Sequence, residues 1–241
     1  MTRTTGINVE RLQRVLHAQF GVISRQQALA CDLSPKTIQH RLRPGGPWQR
    51  LLPGIYLTVT GAVSQEQREM AARLHAGPMS LITGPTAVRR HRLACPGPGT
   101  VDVLVPWTCR RGSLAFVRVY RTRHFPERYF STRQLAFVPK ARAVADAARL
   151  LATLDDVRAV VVGALQCNAC TLEELAAELH AGGMPYSRLF RAVLAEASAG
   201  PRSVPEAKFR KLLLSSDLPE PVFNAQLFDE HGQFIAILEA W

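Results

Sequence analysis

The sequence predicts an α+β fold in three parts, with divisions near residues 60 and 200. Residues 1–60 contain three short helical segments followed by a two-stranded β-ribbon. Residues 61–199 mix amphipathic helices with strands of alternating polarity, a pattern typical of an α/β domain. Residues 200–241 contain one helix and a hairpin. At 241 residues, the chain is long enough for two or three small domains with cores of their own.

Three helix starts are visible in the first part. Apolar residues recur at helical spacing over residues 8–20, where an asparagine can cap the N-terminus, and Gly21 ends the helix. The second helix begins at Ser24, which has a glutamine three residues later and so forms a capping box. The third begins at Ser34, because a serine cap followed by proline is a strong start signal. The close second and third helices predict a helix-turn-helix.

The segment after the third helix predicts a wing. "PGGP" at residues 44–47 ends the helix, and "WQRLL" and "GIYLTV" flank the turn Pro53-Gly54, which indicates a two-stranded ribbon. A helix-turn-helix followed by a ribbon is a winged helix. In that arrangement the third helix enters the major groove of DNA and the wing lies over the neighbouring backbone.

The third helix has an apolar face and a polar face. Ile38 and Leu42 are four residues apart, so we expect them to face inward. Glutamine can pair with adenine and arginine with guanine, while lysine, threonine and the helix N-terminus can bind phosphates. The predicted DNA-binding residues on this helix and beside it are Arg25, Ser34, Lys36, Thr37, Gln39, His40, Arg41, Arg43 and Arg50. The alternative is an exposed helix whose charge serves only solubility.

Positive charge is concentrated in the front of the chain. The net charge is +11, with a balance of +6 over residues 1–60, +9 over residues 61–140 and −4 over residues 141–241. A polyanion is the natural partner of the basic part, since binding to phosphates releases counterions. Two further clusters, residues 89–92 ("RRHR") and residues 110–111, either extend a nucleic-acid face, bind an acidic protein or form a solvated surface.

The middle and last parts contain the remaining predicted elements. We expect helices in "SQEQREMAARLHAG", "GPTAVRRHRLA", "FVPKARAVADAARLLATL", "LDDVRAVVVGALQC", "TLEELAAELHAGG", "SRLFRAVLAEAS" and "SVPEAKFRKLLLSS". Strands are expected in "TVDVLVPW" and "SLAFVRVYRTR" and in two segments joined by "DEHG" near the end. The last segment, "FIAIL", is an apolar strand, so we expect its edge to pair within the domain, with a second copy in a homodimer or with a partner.

Several kinds of chemistry lack support in the sequence. The pair Cys167–Cys170 is a C-x-x-C motif without a second pair. Packing of these cysteines in a helix is therefore a simpler interpretation than a role in zinc binding or redox chemistry. The seven histidines show no zinc-hydrolase spacing, and we expect no cofactor. Five scattered cysteines, no signal-peptide core and no run of roughly 18 apolar residues predict a cytoplasmic protein without a membrane span.

The winged-helix motifs resemble a known family. "FGVISRQQAL", "LSPKTIQHRLR" and "WQRLLPGIYL" are similar to the N-terminal winged helix of AbiEi-type antitoxins of type IV toxin–antitoxin systems, although Phe20 stands where the family pattern has histidine. The likeness continues through "SQEQREMAARLHAGPMSLITGPTAV", "VDVLVP", "VRVYRTR" and "FVPKARAVADAARL", and covers most of residues 9–150. The resemblance implies a DNA-binding autoregulator of its own promoter or operator, with a nucleotidyltransferase toxin as partner.

The tail resembles part of a nuclease. In longer relatives this segment is similar to a Vsr-like fold of the PD-(D/E)XK type, of which residues 203–241 match the opening helix and first hairpin. Glu206 would be the first acidic residue. Placing Trp241 on the family's tryptophan puts Leu238 at the metal position and Glu239 on the other face of the strand. Since Mg²⁺ needs at least two carboxylates, we expect a truncated nuclease-like tail without catalysis and without a metal.

The sequence leaves two alternatives to a DNA-binding regulator. One is a metal-dependent PD-(D/E)XK-type endonuclease that uses the weak candidates Glu206 and Glu239. The other is an interaction-only antitoxin whose basic surface binds an acidic toxin. The winged helix is the more specific signal, because cap, proline, basic face, break and hairpin occur there in the required order.

Overall fold

The computed structural model describes residues 7–97, 99–181, 187–198, 208, 211–215, 223–228 and 234–240. It has the predicted α+β class. The chain divides into two compact units: unit 1 consists of residues 1–87 and 98–139, and unit 2 of residues 88–97 and 140–241. This division differs from the predicted boundaries near 60 and 200. Compact units and independently folding domains are different things, so those boundaries stay a prediction.

The first part of unit 1 contains the predicted helices in a winged-helix order. The elements are α1 (Val9–Ala18), β1 (Val22–Ser24), α2 (Arg25–Ala30), α3 (Pro35–Arg41), β2 (Gln49–Leu52) and β3 (Ile55–Leu57). The strands form an antiparallel sheet in the order β1-β3-β2. The ribbon predicted as two-stranded is therefore part of a three-stranded sheet.

Each predicted helix cap is present. The Asn8 side chain accepts a hydrogen bond from the Arg11 amide at 2.9 Å. At α2, Ser24 and Gln27 form the capping box, with each side chain bonded to the other residue's amide. At α3, the Ser34 hydroxyl accepts from the Thr37 amide at 3.0 Å, and proline occupies the first turn. These caps set the start of each helix, as expected from their local chemistry.

One apolar cluster holds α1, α2 and α3 against the sheet. It contains the predicted inward residues: Ile38 is 2% exposed, and Leu42 packs against the cluster. The fully or nearly buried members are Leu12, Ile23, Ala28, Cys31, Leu33, Ile38, Trp48 and Tyr56. Burial of this set fixes which face of α3 points outward.

The rest of unit 1 adds helices and a five-stranded sheet. Helix α4 (Gln65–Ala76) begins with the predicted capping box of Ser64 and Gln67, and α5 spans Gly84–Arg90, crossing into unit 2. The strands are β4 (Leu81–Ile82), β5 (Val101–Pro106), β6 (Val117–Thr122), β7 (Phe130–Thr132) and β8 (Leu135–Phe137), in the order β6-β5-β4-β8-β7. Strands β5 and β6 run parallel. Both were predicted, whereas β4, β7 and β8 were not.

In its described residues, unit 2 contains helices and one hairpin. Its helices include α6 (Lys140–Leu150), α7 (Leu154–Gln166), α8 (Leu172–Ala181) and α9 (Arg188–Ser198), and residues 211–214 are also helical. The predicted helix over residues 137–154 was wrong at both ends, because Phe137 is the last residue of β8, residues 138–139 connect β8 to α6, and residues 151–153 lie between α6 and α7. The predicted last hairpin is confirmed as β9 (Phe223–Phe228) paired antiparallel with β10 (Phe234–Ala240).

Buried ion pairs connect the helices of unit 2. Arg142 donates to both carboxylate oxygens of Asp146 and reaches Glu178 on α8 at 3.5 Å, and Arg149 donates to Asp146 at 2.6 Å. Burial, the largest effect, raises the pKa of Glu178 and lowers that of Arg149. Because removing one member of such a network leaves a buried charge unpaired, these residues are best interpreted as structural.

The turn between α3 and β2 lies close against the last turn of α3. The Gly46 amide donates to the Arg43 carbonyl at 2.8 Å. A Cβ atom at Gly46 would lie 2.4 Å from the Arg41 carbonyl oxygen and 2.9 Å from that of Arg43, both backbone atoms. Only glycine fits there without a shift of the backbone.

We therefore expect Gly46→Ala to lower the free energy of unfolding by about 3 kcal/mol, since the clash is with backbone and not with a flexible side chain. Urea titration followed by circular dichroism measures it. Gly112→Ala is the matched control within unit 1, because nothing lies within 4 Å of its Cβ position. Equal stability of both variants would contradict the packing of this turn.

Candidate nucleic-acid interface

Helix α3 presents a polar face to solvent. Lys36, Gln39 and His40 are exposed, Thr37 is half-buried, and Ile38 faces the core. Arg43 is also exposed, just beyond the end of the helix. This is the separation of faces that helical spacing predicts. With Ser34, the exposed cap of the helix, five of the predicted DNA-binding residues thus have exposed side chains on or next to α3.

The serine that caps α3 is engaged with its own helix. Besides accepting from the Thr37 amide, the Ser34 oxygen lies 2.9 Å from the Thr37 hydroxyl oxygen, and either hydroxyl can donate. The two side chains thus stabilise the first turn. Ser34 remains exposed, so its hydroxyl lies at the surface beside Lys36.

Arg41 is positioned differently from the other cations. It is half-buried, and its guanidinium lies over the Trp48 ring at 5.1 Å from the centroid. The Trp48 amide also donates to the Arg41 carbonyl at 3.0 Å. Arg41 is thus stacked on the residue that directly precedes β2, and its side chain is less exposed than those of Lys36, Gln39 and His40.

A groove of about 300 Å³ lies between α2, α3 and the β2–β3 hairpin. It is lined by Arg25, Pro35, Ile38, Gln39, Leu42, Arg50, Gly54 and Tyr56. The Arg25 amide donates to the Gly54 carbonyl at 2.7 Å, which attaches the start of α2 to the hairpin turn. The groove brings together three predicted residues: Arg25, Gln39 and Arg50. Lys36, Thr37, His40 and Arg43 lie outside its lining.

The net charge of the protein belongs to unit 1. Unit 1 holds 17 Lys and Arg against six Asp and Glu, whereas unit 2 holds 13 of each. One of the six, Glu10, forms an exposed ion pair with Arg14 at 3.8 Å. The winged helix therefore lies in the unit whose surface attracts anions, and this attraction falls as salt rises.

The other candidate sites have less support. Cys167 is exposed while Cys170 is buried, and burial raises the pKa of the Cys170 thiol to about 11, so it is protonated at neutral pH. Among the described residues, no three His, Cys, Asp or Glu side chains could hold a metal ion together. Glu206 lies outside the described residues, and Glu239 lies in β10 with its side chain undescribed.

Sequence reasoning missed the role of Trp48. It assigned this tryptophan only to the ribbon, although it is both a core residue and the surface on which Arg41 stacks. An aromatic residue directly after a helix-ending "PGGP" is a usable signal, because the turn must bring it back against the last turn of the helix.

Comparisons with known proteins assign no function. No protein-family profile matches the chain, and no curated protein is similar to it. Among solved structures, the RV2827C protein from Mycobacterium tuberculosis is similar over 92% of this chain and 88% of its own, with a TM-score of 0.49 and 14% identity. None of the helices in the described part of the chain is long and apolar enough to cross a membrane.

The stacking of Arg41 on Trp48 leads to a stability prediction. We expect Arg41→Ala to lower the free energy of unfolding by about 1 kcal/mol, because it removes a cation–π contact and packing over the ring. Arg43→Ala, the matched control two residues later, should change it by less than about 0.5 kcal/mol. Urea titration followed by tryptophan fluorescence measures both. A larger loss in the Arg43 variant would contradict the stacking of Arg41 on Trp48.

Proposed function

We propose that the protein binds duplex DNA through its winged helix and acts as a transcriptional regulator. The observation that carries this proposal is the exposed polar face of α3, held outward by the burial of Ile38 and placed beside a groove that Arg25 and Arg50 flank. Exposed Lys, Gln and His on one helix face can hydrogen-bond both phosphates and base edges.

In the proposed complex, α3 enters the major groove. Gln39 lies at the border of α3 and the groove and would contact a base edge, while Lys36 in the first turn would contact a phosphate. Arg25 and Arg50 would bind the backbone on either side. Since residues 53 and 54 alone join β2 to β3, the wing is short and would contact the adjacent backbone.

Electrostatics supports the same partner. Each phosphate neutralised by an exposed cation releases counterions, so affinity should fall steeply with salt. Arg41 contributes to the field but, stacked on Trp48, is a poor candidate for a base contact. The decisive cations are therefore the exposed ones, Lys36, Arg43, Arg25 and Arg50.

Lys36→Ala combined with Arg43→Ala tests the proposal. We expect at least tenfold weaker binding to the DNA upstream of the gene, and a salt-dependence slope smaller in magnitude by about 2, since two phosphate contacts are lost. Gel shift and fluorescence anisotropy at several salt concentrations measure these effects. Arg188→Ala with Arg191→Ala is the control, because it removes the same charge from the exposed face of α9 in unit 2.

The proposal fails if the Lys36/Arg43 variant binds the upstream DNA with wild-type affinity. It also fails if both double variants lose affinity equally, because binding would then depend on net charge alone. Circular dichroism of both variants ensures that any loss of affinity reflects contacts and not folding.

The resemblance to AbiEi-type antitoxins supports a more specific role. We propose that the regulated promoter is the protein's own, that two copies bind a repeated half-site, and that the partner is a nucleotidyltransferase toxin in the cytoplasm. Such a regulator needs no catalysis of its own. This role concerns the whole chain and depends on the resemblance, whereas DNA binding depends on α3.

Co-expression with an adjacent nucleotidyltransferase gene tests this role. We expect the protein to restore growth and, on promoter DNA, light scattering to give a mass of two copies per operator. If the Lys36/Arg43 variant also restores growth, neutralisation of the toxin does not require DNA binding through α3. Restored growth without any operator binding would favour the interaction-only alternative. Unchanged toxicity would contradict the antitoxin role.

A further inference from the structure

We propose that unit 1 carries a second nucleic-acid site, specific for single strands, at the carboxyl ends of β5 and β6. We call it the Trp107 patch, and it consists of Trp107, Arg110, Arg111, Arg121 and Arg123. The proposed ligand is an unpaired stretch of DNA or RNA, with one base stacked on Trp107 and the flanking phosphates bound by Arg110 and Arg111.

The patch is built on the parallel pair of strands. Pro106 and Thr122 are register partners at the ends of β5 and β6, and the Trp107 amide donates to the Thr122 carbonyl at 2.8 Å. Trp107 and Arg123 are therefore the first residues beyond the two strands and lie next to each other. Rigid strands thus fix the position of the aromatic ring.

The loop that follows Trp107 is held in place by side-chain bonds. Arg121 donates from Nε to the Cys109 carbonyl at 2.7 Å and from a terminal nitrogen to the Arg111 carbonyl at 3.0 Å. His75 Nε2 lies 2.9 Å from the Gly112 carbonyl oxygen. Hydrogen bonds to three of its backbone carbonyls therefore hold the loop in place. The side chains of Arg110 and Arg111 are exposed on this loop.

Trp107 is exposed to an unusual degree for its type. It is 61% exposed, and the Arg123 guanidinium lies over its ring at 5.7 Å from the centroid. Tryptophans are highly buried on average, and a ring that is exposed on a rigid support is available to stack on a ligand. The stacked arginine orients the ring and leaves the rest of its surface in solvent.

The charge around the ring selects a polyanion. Residues 105–124 contain five arginines and no aspartate or glutamate. None of the ion pairs found among the described residues involves these five arginines. Protein–protein interfaces also favour tryptophan and arginine, but five cations without an acidic residue among them favour a partner with closely spaced negative charges. A tryptophan surrounded by arginines fits nucleic acid better.

The ring favours a single strand over a duplex. In a duplex the faces of the bases are covered by their neighbours, whereas an unpaired base can stack on an exposed aromatic side chain. Arg110 and Arg111 would then bind the phosphates on either side of that base. The patch differs from α3 in this respect, since α3 offers hydrogen-bonding side chains suited to the edges of paired bases.

Titration of the full chain with a labelled 12-nucleotide oligo(dT) tests the proposal. We expect quenching of the tryptophan emission, because Trp107 would stack on a base whereas Trp48 is buried in the core. Anisotropy of the label should show binding weakened about tenfold or more in Trp107→Ala. Trp107→Phe should retain part of the affinity, and Arg110→Ala with Arg111→Ala should weaken binding and its salt dependence.

The two proposals fail separately. The Lys36/Arg43 variant should bind oligo(dT) like the wild type, and Trp107→Ala should bind the promoter duplex like the wild type. Oligo(dT) affinity that is unchanged in Trp107→Ala would overturn the single-strand site. So would self-association in sedimentation experiments that the Trp107→Ala substitution abolishes, since the patch would then be an interface between copies of the chain.

Discussion

Helix α4 is the element on which the arrangement of unit 1 depends. It packs against all three strands of the winged-helix sheet and against β4, β5 and β8 of the five-stranded sheet. Its residues 69–72 are consecutive and all buried, with Glu69 only 1% exposed. Four consecutive helical positions point in directions spanning about 300°, so the helix is covered on opposite sides. The two alanines among them allow close approach of both sheets.

This shared helix explains why the winged helix is not a separate compact unit. The Gln67 side chain, which closes the capping box of α4, also donates to the Phe20 carbonyl, in the turn after α1, at 3.2 Å. A second connection joins Gln19 to Gln134, whose amide and carbonyl groups lie 2.8 Å apart. These two hydrogen bonds attach the end of the α1 segment to α4 and to Gln134. They therefore help to fix the position of α1, and with it the core on which α3 rests.

Local signals could be predicted from the sequence, while short strands could not. The caps at Ser24, Ser34 and Ser64 depend on residues three positions apart, so the sequence contains both partners of each bond. Strand β4 has only two residues, too few for an alternating pattern, and exists because β5 and β8 pair with it. Phe137 was placed in a helix because β8 has only three residues and the Phe137 partner on β4, Ile82, is distant in sequence.

In the candidate site, too, local features could be predicted from the sequence, whereas contacts between distant segments could not. Helical spacing predicts that Lys36, Gln39 and His40 face away from Ile38, because all four belong to one helix. It also places Arg41 at the edge of the polar face, but the partner that takes up its guanidinium, Trp48, reaches it only through the turn at Gly46. Charge at long range is the same wherever a guanidinium points, so attraction for an anion follows from composition. Recognition at short range depends on the cations that the fold leaves exposed, and these are decided by contacts between elements.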